Sequence, residues 1–167
     1  ASPATQDTSK EPSPATSNET QGTEAEEPRR GGILRVTTNE DPGSLDLHVE
    51  AGETALLPGV HIFETVLTTD GEGRPVEMLA DYEVQDNGKK IVLKLRKDVK
   101  FHNGDIMDSG DVVASLNRWL KYASFAKKTI GNYLTKLEAT DEHTVVLELS
   151  ESSPLAFFTI NSTLSLP

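Results

Sequence analysis

Residues 93–119 read LKLRKDVKFHNGDIMDSGDVVASLNRW, and this run joins a strand, a tight turn and a capped helix. Leu93 and Leu95 alternate with Lys94 and Arg96, the two-residue period of a strand buried on one face. The glycine of Phe101-His102-Asn103-Gly104 then supplies a turn. Asp108 can cap the helix that follows, and Asp111 three residues later completes a shortened capping box and sets negative charge at the positive end of the helix. Val112, Val113, Leu116, Trp119 and Leu120 fall on one stripe, with Asn117, Arg118 and Lys121 off it. The spacing predicts a helix lying on a sheet of hairpins.

Working outward, hairpins dominate. Tyr82-Glu83-Val84, the turn Asp86-Asn87-Gly88 and Lys90 to Arg96 form one, with Ile91, Leu93 and Leu95 on one face and Val92, Lys94 and Arg96 on the other. Tyr133 to Thr140, the turn Asp141-Glu142-His143 and Thr144 to Leu149 form another. Asp70-Gly71-Glu72-Gly73 turns the chain after Leu67-Thr68-Thr69. Nearer the start, Ile33 to Thr38 carries the β-branched residues of a first strand. Ser44 to Gly52 has turn chemistry without a period. Glu53 to Val66, apolar at Leu56, Leu57, Val60, Phe63 and then Leu67, approximates a helical stripe despite Pro58.

Composition bounds the function. The 167 residues carry a net charge of -11, which argues against nucleic acid, because phosphate binding needs clustered Lys and Arg. Cysteine is absent, removing disulfides, thiolate catalysis and Cys-based zinc sites. No stretch approaches the apolar length of a membrane span. Residues 1–30 hold almost nothing apolar beyond alanine, so they are expected to be a disordered tether. The apolar finish, Pro154-Leu155-Ala156-Phe157-Phe158 and then Ile160 and Leu164 to Pro167, suggests the front part of a longer chain.

Several of these pieces, in this order, resemble the family 5 extracellular solute-binding proteins, the peptide- and nickel-binding receptors of bacterial ABC importers. Gly31 to Val36, GGILRV, resembles the start of their mature domain. Ser44-Leu45-Asp46 resembles their S-L-D-P, with Leu47 in place of proline. Phe63-Glu64-Thr65-Val66-Leu67 is similar to F-E-x-L, and Leu79-Ala80 with Tyr82 to L-A-x-S-W, with tyrosine where tryptophan is common. The opening run itself matches F-x-x-G followed by D-V-x-x-S-x-x-R, ending at Arg118.

The resemblance implies a mixed α/β (α+β) fold of β-hairpins packed with short helices, in which residues 31–167 supply the start of the first lobe and the extra subdomain of a two-lobed periplasmic-binding-protein-like fold, without the second lobe. By position it implies that Glu50, Ala51, Gly52, Glu53 and Thr54 line the ligand cleft, running beside a peptide as an added strand; Gly52 would permit close approach and Glu53 would face a cationic group. It implies a monomer that captures a peptide or other small solute by lobe closure and delivers it to ABC permease subunits, at the periplasmic or extracellular face of the membrane. Nickel chelates, opines and oligosaccharides stay open as ligands. The tether suits a lipoprotein leash as well as an ordinary linker, and a lipid anchor would be the one membrane contact. This fragment alone is not expected to enclose a ligand.

Other chemistry finds little support in the residues. Ser109 lacks a G-x-S-x-G elbow and reads as a first-turn residue. His48, His61, His102 and His143 lack zinc spacing, and His102 and His143 read as turn residues. Asp105, Asp108 and Asp111 invite calcium, yet the loop lacks the EF-hand pattern and capping accounts for two of the three. Phe157-Phe158 suits core packing better than a ligand-facing patch. Asn18-Glu19-Thr20 and Asn161-Ser162-Thr163 are glycosylation-type triplets that arise often by chance. The resemblance implies that ATP is hydrolysed by a separate subunit, and the absence of a G-x-x-x-x-G-K-[ST] loop is consistent with that division. The expected chain is no enzyme and has no cofactor or metal; a non-transport surface lipoprotein on this fold and a hydrolase stand as alternatives.

Overall fold

The computed structural model describes residues 30–50 and 52–160. The expected tether, Arg30 apart, lies outside the described residues, as do Ala51, both glycosylation-type triplets, Leu164 to Pro167 and the side chains of Phe157 and Phe158. The chain divides after Val36. In the first unit, residues 30–36 form no regular element, and Ile33 and Leu34 are 86% and 87% exposed. The strand expected over Ile33 to Thr38 therefore does not form. Branched side chains favour an extended backbone, but a strand is held by its ladder, and this segment enters neither sheet.

The second unit opens with the turn at 47–49 and helix α1, Glu53–Gly59. α1 is shorter than the stripe from Glu53 to Val66 predicts. The chain leaves the helix through a tight turn in which the amides of Ile62 and Phe63 both donate to the Gly59 carbonyl (2.9 and 2.8 Å). Phe63 to Val66 then run into strand β1, Leu67–Thr69, which pairs antiparallel with β2, Pro75–Glu77. Asp70 organises the turn between them: its Oδ1 accepts from the amides of Glu72 and Arg74 (both 2.9 Å), and Gly73 takes φ +78°, as the sequence leads one to expect.

The main sheet is four-stranded and antiparallel, ordered β3-β4-β6-β5, with β3 Ala80–Gln85, β4 Lys90–Leu95, β5 Leu134–Asp141 and β6 Thr144–Leu149. The β3–β4 turn places Asp86, Asn87 and Gly88 all at positive φ, conformations that Asn, Asp and Gly tolerate best. Alternation sorts the faces as predicted. Ile91, Leu93 and Leu95 face the core with Val145, Leu147 and Leu149, and helix α2, Ser109–Tyr122, covers them with Val112, Leu116 and Trp119. On the outer face Val92 and Val146 sit opposite each other beneath charged neighbours, among them the Lys94–Glu83 pair (3.6 Å).

A local cap starts α2, and a separate joint fixes it on the sheet. Asp108 and Asp111 form a complete capping box: Asp108 Oδ1 accepts from the Asp111 amide (3.1 Å), and Asp111 Oδ2 from the Asp108 amide (3.0 Å). Ser109, buried in the first turn, donates its hydroxyl to the Asp141 carbonyl (2.5 Å) and its amide to Glu142 (3.0 Å), pinning the helix start to the β5–β6 turn. After Ala123 the chain continues as a single turn α3, Ser124–Ala126, a wide π-type turn Lys127–Gly131, and after β6 the helix α4, Pro154–Ile160. Ile130, Ala156 and Ile160 close the core.

Candidate functional site

The segment from Ser44 to Thr54 is shaped by its own polar side chains. Ser44 Oγ accepts from the Asp46 amide (3.0 Å), Asp46 Oδ1 accepts from the His48 amide (3.3 Å), and the Asp46 carbonyl accepts from Val49 (3.1 Å) and Glu50 (2.9 Å). Such short-range bonds are what Ser and Asp offer a turn. Leu47 is driven inward, where it packs with Ala55, Leu56 and Phe63. A Cβ on Gly59 would lie 2.4 Å from Leu47 Cδ1, so α1 approaches this turn closely because it has no side chain there.

Arg118, in the third turn of the D-V-x-x-S-x-x-R helix, reaches back to this turn. Its Nη1 donates to Asp46 Oδ1 (2.8 Å) and its Nη2 to Asp46 Oδ2, the two-pronged match of guanidinium to carboxylate. The same Nη1 lies 2.8 Å from His48 Nδ1. Because guanidinium only donates, that nitrogen is the acceptor in this contact. The Arg118 hydrogen bond, more than the Arg118 charge, holds the Asp46 carboxyl below the usual aspartate range, against a smaller desolvation effect. Arg118 is correspondingly harder to deprotonate.

Two neighbouring clefts adjoin the clasp and share Phe63 and Ser115. One of ≈ 300 Å³ is lined by Leu45, Asp46, Leu47, His48 and Arg118. The other, ≈ 540 Å³, lies between residues 60–64, the turn at 99–102 and the start of α2; Leu79, Val99, Phe101, Met107 and Val112 give it an apolar lining, and His61, Glu64, Lys100, His102 and Asp111 a polar one. The F-x-x-G motif builds its edge as a small loop closed by the Phe101 amide to Asp105 (2.9 Å) and the Gly104 amide to Phe101 (2.9 Å), with Gly104 at φ +96°.

Of the five residues expected to line a ligand cleft, the described four lie at this turn and the start of α1. Glu50 is exposed and bonded through its amide to Asp46; Ala51 lies outside the described residues; Gly52 is the N-cap of α1 at φ -68°, Glu53 is exposed in the first turn, and Thr54 is half-buried. That φ is open to any residue, although a Cβ on Gly52 would meet Glu50 Oε1 at 3.0 Å. None of the described four lines either cleft. Sequence reasoning passed over Asp46 and Arg118, and the signal was present: each closes a quoted motif.

The aspartates that invite calcium are engaged locally. Asp105 pairs with Asn103 (2.7 Å to Nδ2), and Asp108 and Asp111 cap α2. Among the described residues no three His, Asp or Glu side chains converge as a metal site, and no helix is long and apolar enough to cross a membrane.

Comparison with known proteins gives a consistent picture. The model of the middle region of the bacterial extracellular solute-binding proteins, family 5, matches residues 74–167. A relative named as a probable deoxycholate-binding periplasmic protein of Escherichia coli K12 is 29% identical over 76% of this chain and 27% of its own length. Among solved structures, AgaA of A. tumefaciens R10 in complex with agropinic acid is 32% identical, with TM-score 0.67 over 75% of this chain and 26% of that one. OppA of Haemophilus influenzae in complex with RPPGFSPFR is 25% identical, with TM-score 0.65 over 76% and 28%. The chain thus spans about a quarter of the length of these proteins.

Proposed function

We propose that this chain, which belongs to the bacterial extracellular solute-binding proteins of family 5, supplies the start of the first lobe and the extra subdomain of the substrate-binding component of an ABC importer. The protein captures a solute, a peptide foremost, at the periplasmic or extracellular face of the membrane and delivers it to permease subunits, performing no chemistry itself. The likeness of three quarters of the chain to OppA in its peptide complex carries the reading. In it, residues 1–30 are a leash and 31–167 part of the binding domain.

Main-chain groups of Glu50 to Thr54 would then run beside the ligand, with Glu53, exposed at the start of α1, facing a cationic group such as a peptide's amino terminus. Recognition through backbone groups leaves ligand side chains free, which suits broad specificity. The clasp between Arg118 and Asp46 is the support of this segment, since it holds the turn from which the segment leaves. The agropinic acid in AgaA keeps a small opine acid as a second ligand class.

Native mass spectrometry of the protein purified from its source tests the reading. A series of adducts with peptide-like masses, lost on denaturation, is the expected result. One adduct of a single small-acid mass would select the second ligand class. A folded protein that carries no adduct and takes none up from a peptide mixture or from agropinic acid would overturn the receptor reading.

A further inference from the structure

From Val112 to Leu137 the sequence contains Arg118, Lys121, Lys127, Lys128 and Lys136 and no Asp or Glu, within a chain whose net charge is -11. Two of these cations are spent on partners: Arg118 on Asp46, and Lys136 on Glu138 (2.6 Å). Lys121, Lys127 and Lys128 are exposed and form no ion pair among the described residues. Between them stand two aromatic side chains left in water, Tyr122 at 48% and Phe125 at 45% exposure. Tyr122 is flanked by cations, with Arg118 5.1 Å and the Lys121 ammonium 5.0 Å from its ring centre.

We propose that this surface, the last turn of α2 with α3 and the turn after it, docks on an anionic phospholipid membrane: Lys121, Lys127 and Lys128 meet headgroup phosphates, and Tyr122 and Phe125 seat at headgroup level. Three observations select lipid over an acidic protein face. The unpaired cations are all lysines, which protein interfaces deplete in favour of arginine and which meet phosphate well as point charges on flexible stems. The one arginine in the patch is already committed to Asp46. The aromatic residues beside the lysines match the amphipathic belt found where protein meets the membrane–water boundary. The patch is opposite in sign to the chain as a whole, whose net charge is -11. This contact is independent of ligand capture and needs no lipid anchor.

Vesicle flotation with the purified protein tests it, comparing vesicles of phosphatidylglycerol and phosphatidylcholine in equal parts with vesicles of phosphatidylcholine alone. Binding to the anionic vesicles only, falling steeply as salt is raised, is expected. Each lysine is worth about fivefold in partition, so K121Q/K127Q/K128Q should lose on the order of a hundredfold, while K121R/K127R/K128R keeps most of it; circular dichroism verifies that each variant is folded. Y122S/F125S should weaken binding and leave its salt dependence in place. Equal binding to both vesicle types, or a partition indifferent to salt in the unaltered protein, overturns the proposal without recourse to any variant. Binding of soluble polyglutamate that displaces the vesicles and is lost in the same lysine variant would assign the patch to an acidic protein instead.

Discussion

Arg118 and Asp46, 72 positions apart in sequence, meet through both terminal guanidinium nitrogens and both carboxylate oxygens. The contact joins the end of one family motif to the end of another. Ser44-Leu45-Asp46 shapes a turn, and the D-V-x-x-S-x-x-R helix supplies the arginine that holds it. Replacing Arg118 by Gln removes the two-pronged bond while keeping a polar side chain. Hydrogen exchange at the Val49 and Glu50 amides, both donors to the Asp46 carbonyl, should quicken severalfold, while exchange in β4 and β6 stays as it is. Unchanged exchange at those two amides would mean the turn stands on Leu47 alone.

Acid should open the same clasp. The Asp46 carboxyl is held below its ordinary value in the folded protein, chiefly by the hydrogen bond from Arg118. A lowered folded value means that the stabilisation is fully present above the unfolded aspartate range, about pH 4, and is lost as pH falls through the folded value. Exchange at Val49 and Glu50, corrected for its intrinsic pH dependence, should therefore rise on acidification below about pH 4 in the parent and stay flat in the Asp46→Asn variant.

Gly59→Ala tests the close approach of α1 to the turn. The added methyl meets Leu47 at 2.4 Å, and overpacking of this kind costs about 1–3 kcal/mol, against a helix-propensity gain of at most about 1 kcal/mol. Urea unfolding should show net destabilisation, and adding Leu47→Ala should make the glycine substitution far less harmful. Additive effects of the two changes would contradict the packing described here.

Asp108→Ala removes half of the capping box and should cost about 1 kcal/mol. Asp111→Ala should cost less, and the double substitution less than the sum, since the two carboxylates serve each other's amides. A urea-denaturation double-mutant cycle measures the coupling.

The hairpins and α2 were legible because their signals are local and repetitive. Ile91, Leu93 and Leu95 alternate, Asp108 and Asp111 cap, and Leu116 with Trp119 completes a stripe. Ile33 to Thr38 shows the opposite case: its residues favour a strand, but the decision rests with a ladder partner that propensity does not encode. α1 was read too long because Leu56, Val60 and Phe63 satisfy a helical period even though Phe63 is already leaving for β1. The clasp escaped because Asp46 and Arg118 each have a bland local reading, a turn aspartate and a helix-surface arginine, and only the fold brings them together.

The strand order β3-β4-β6-β5 has a bearing on how the molecule assembles. Each hairpin closes over a few residues, an event on the order of microseconds, but the seam between them pairs Lys94 with Thr144 and must wait for the whole α2 region to be drawn in. Closing that long loop carries the larger entropic cost, and long-range pairing of this sort slows folding. Ser109, bonded to the Asp141 and Glu142 carbonyls, ties the near end of the loop to the far hairpin. The helix therefore serves as the splint across which two independently formed ribbons are sewn into one sheet.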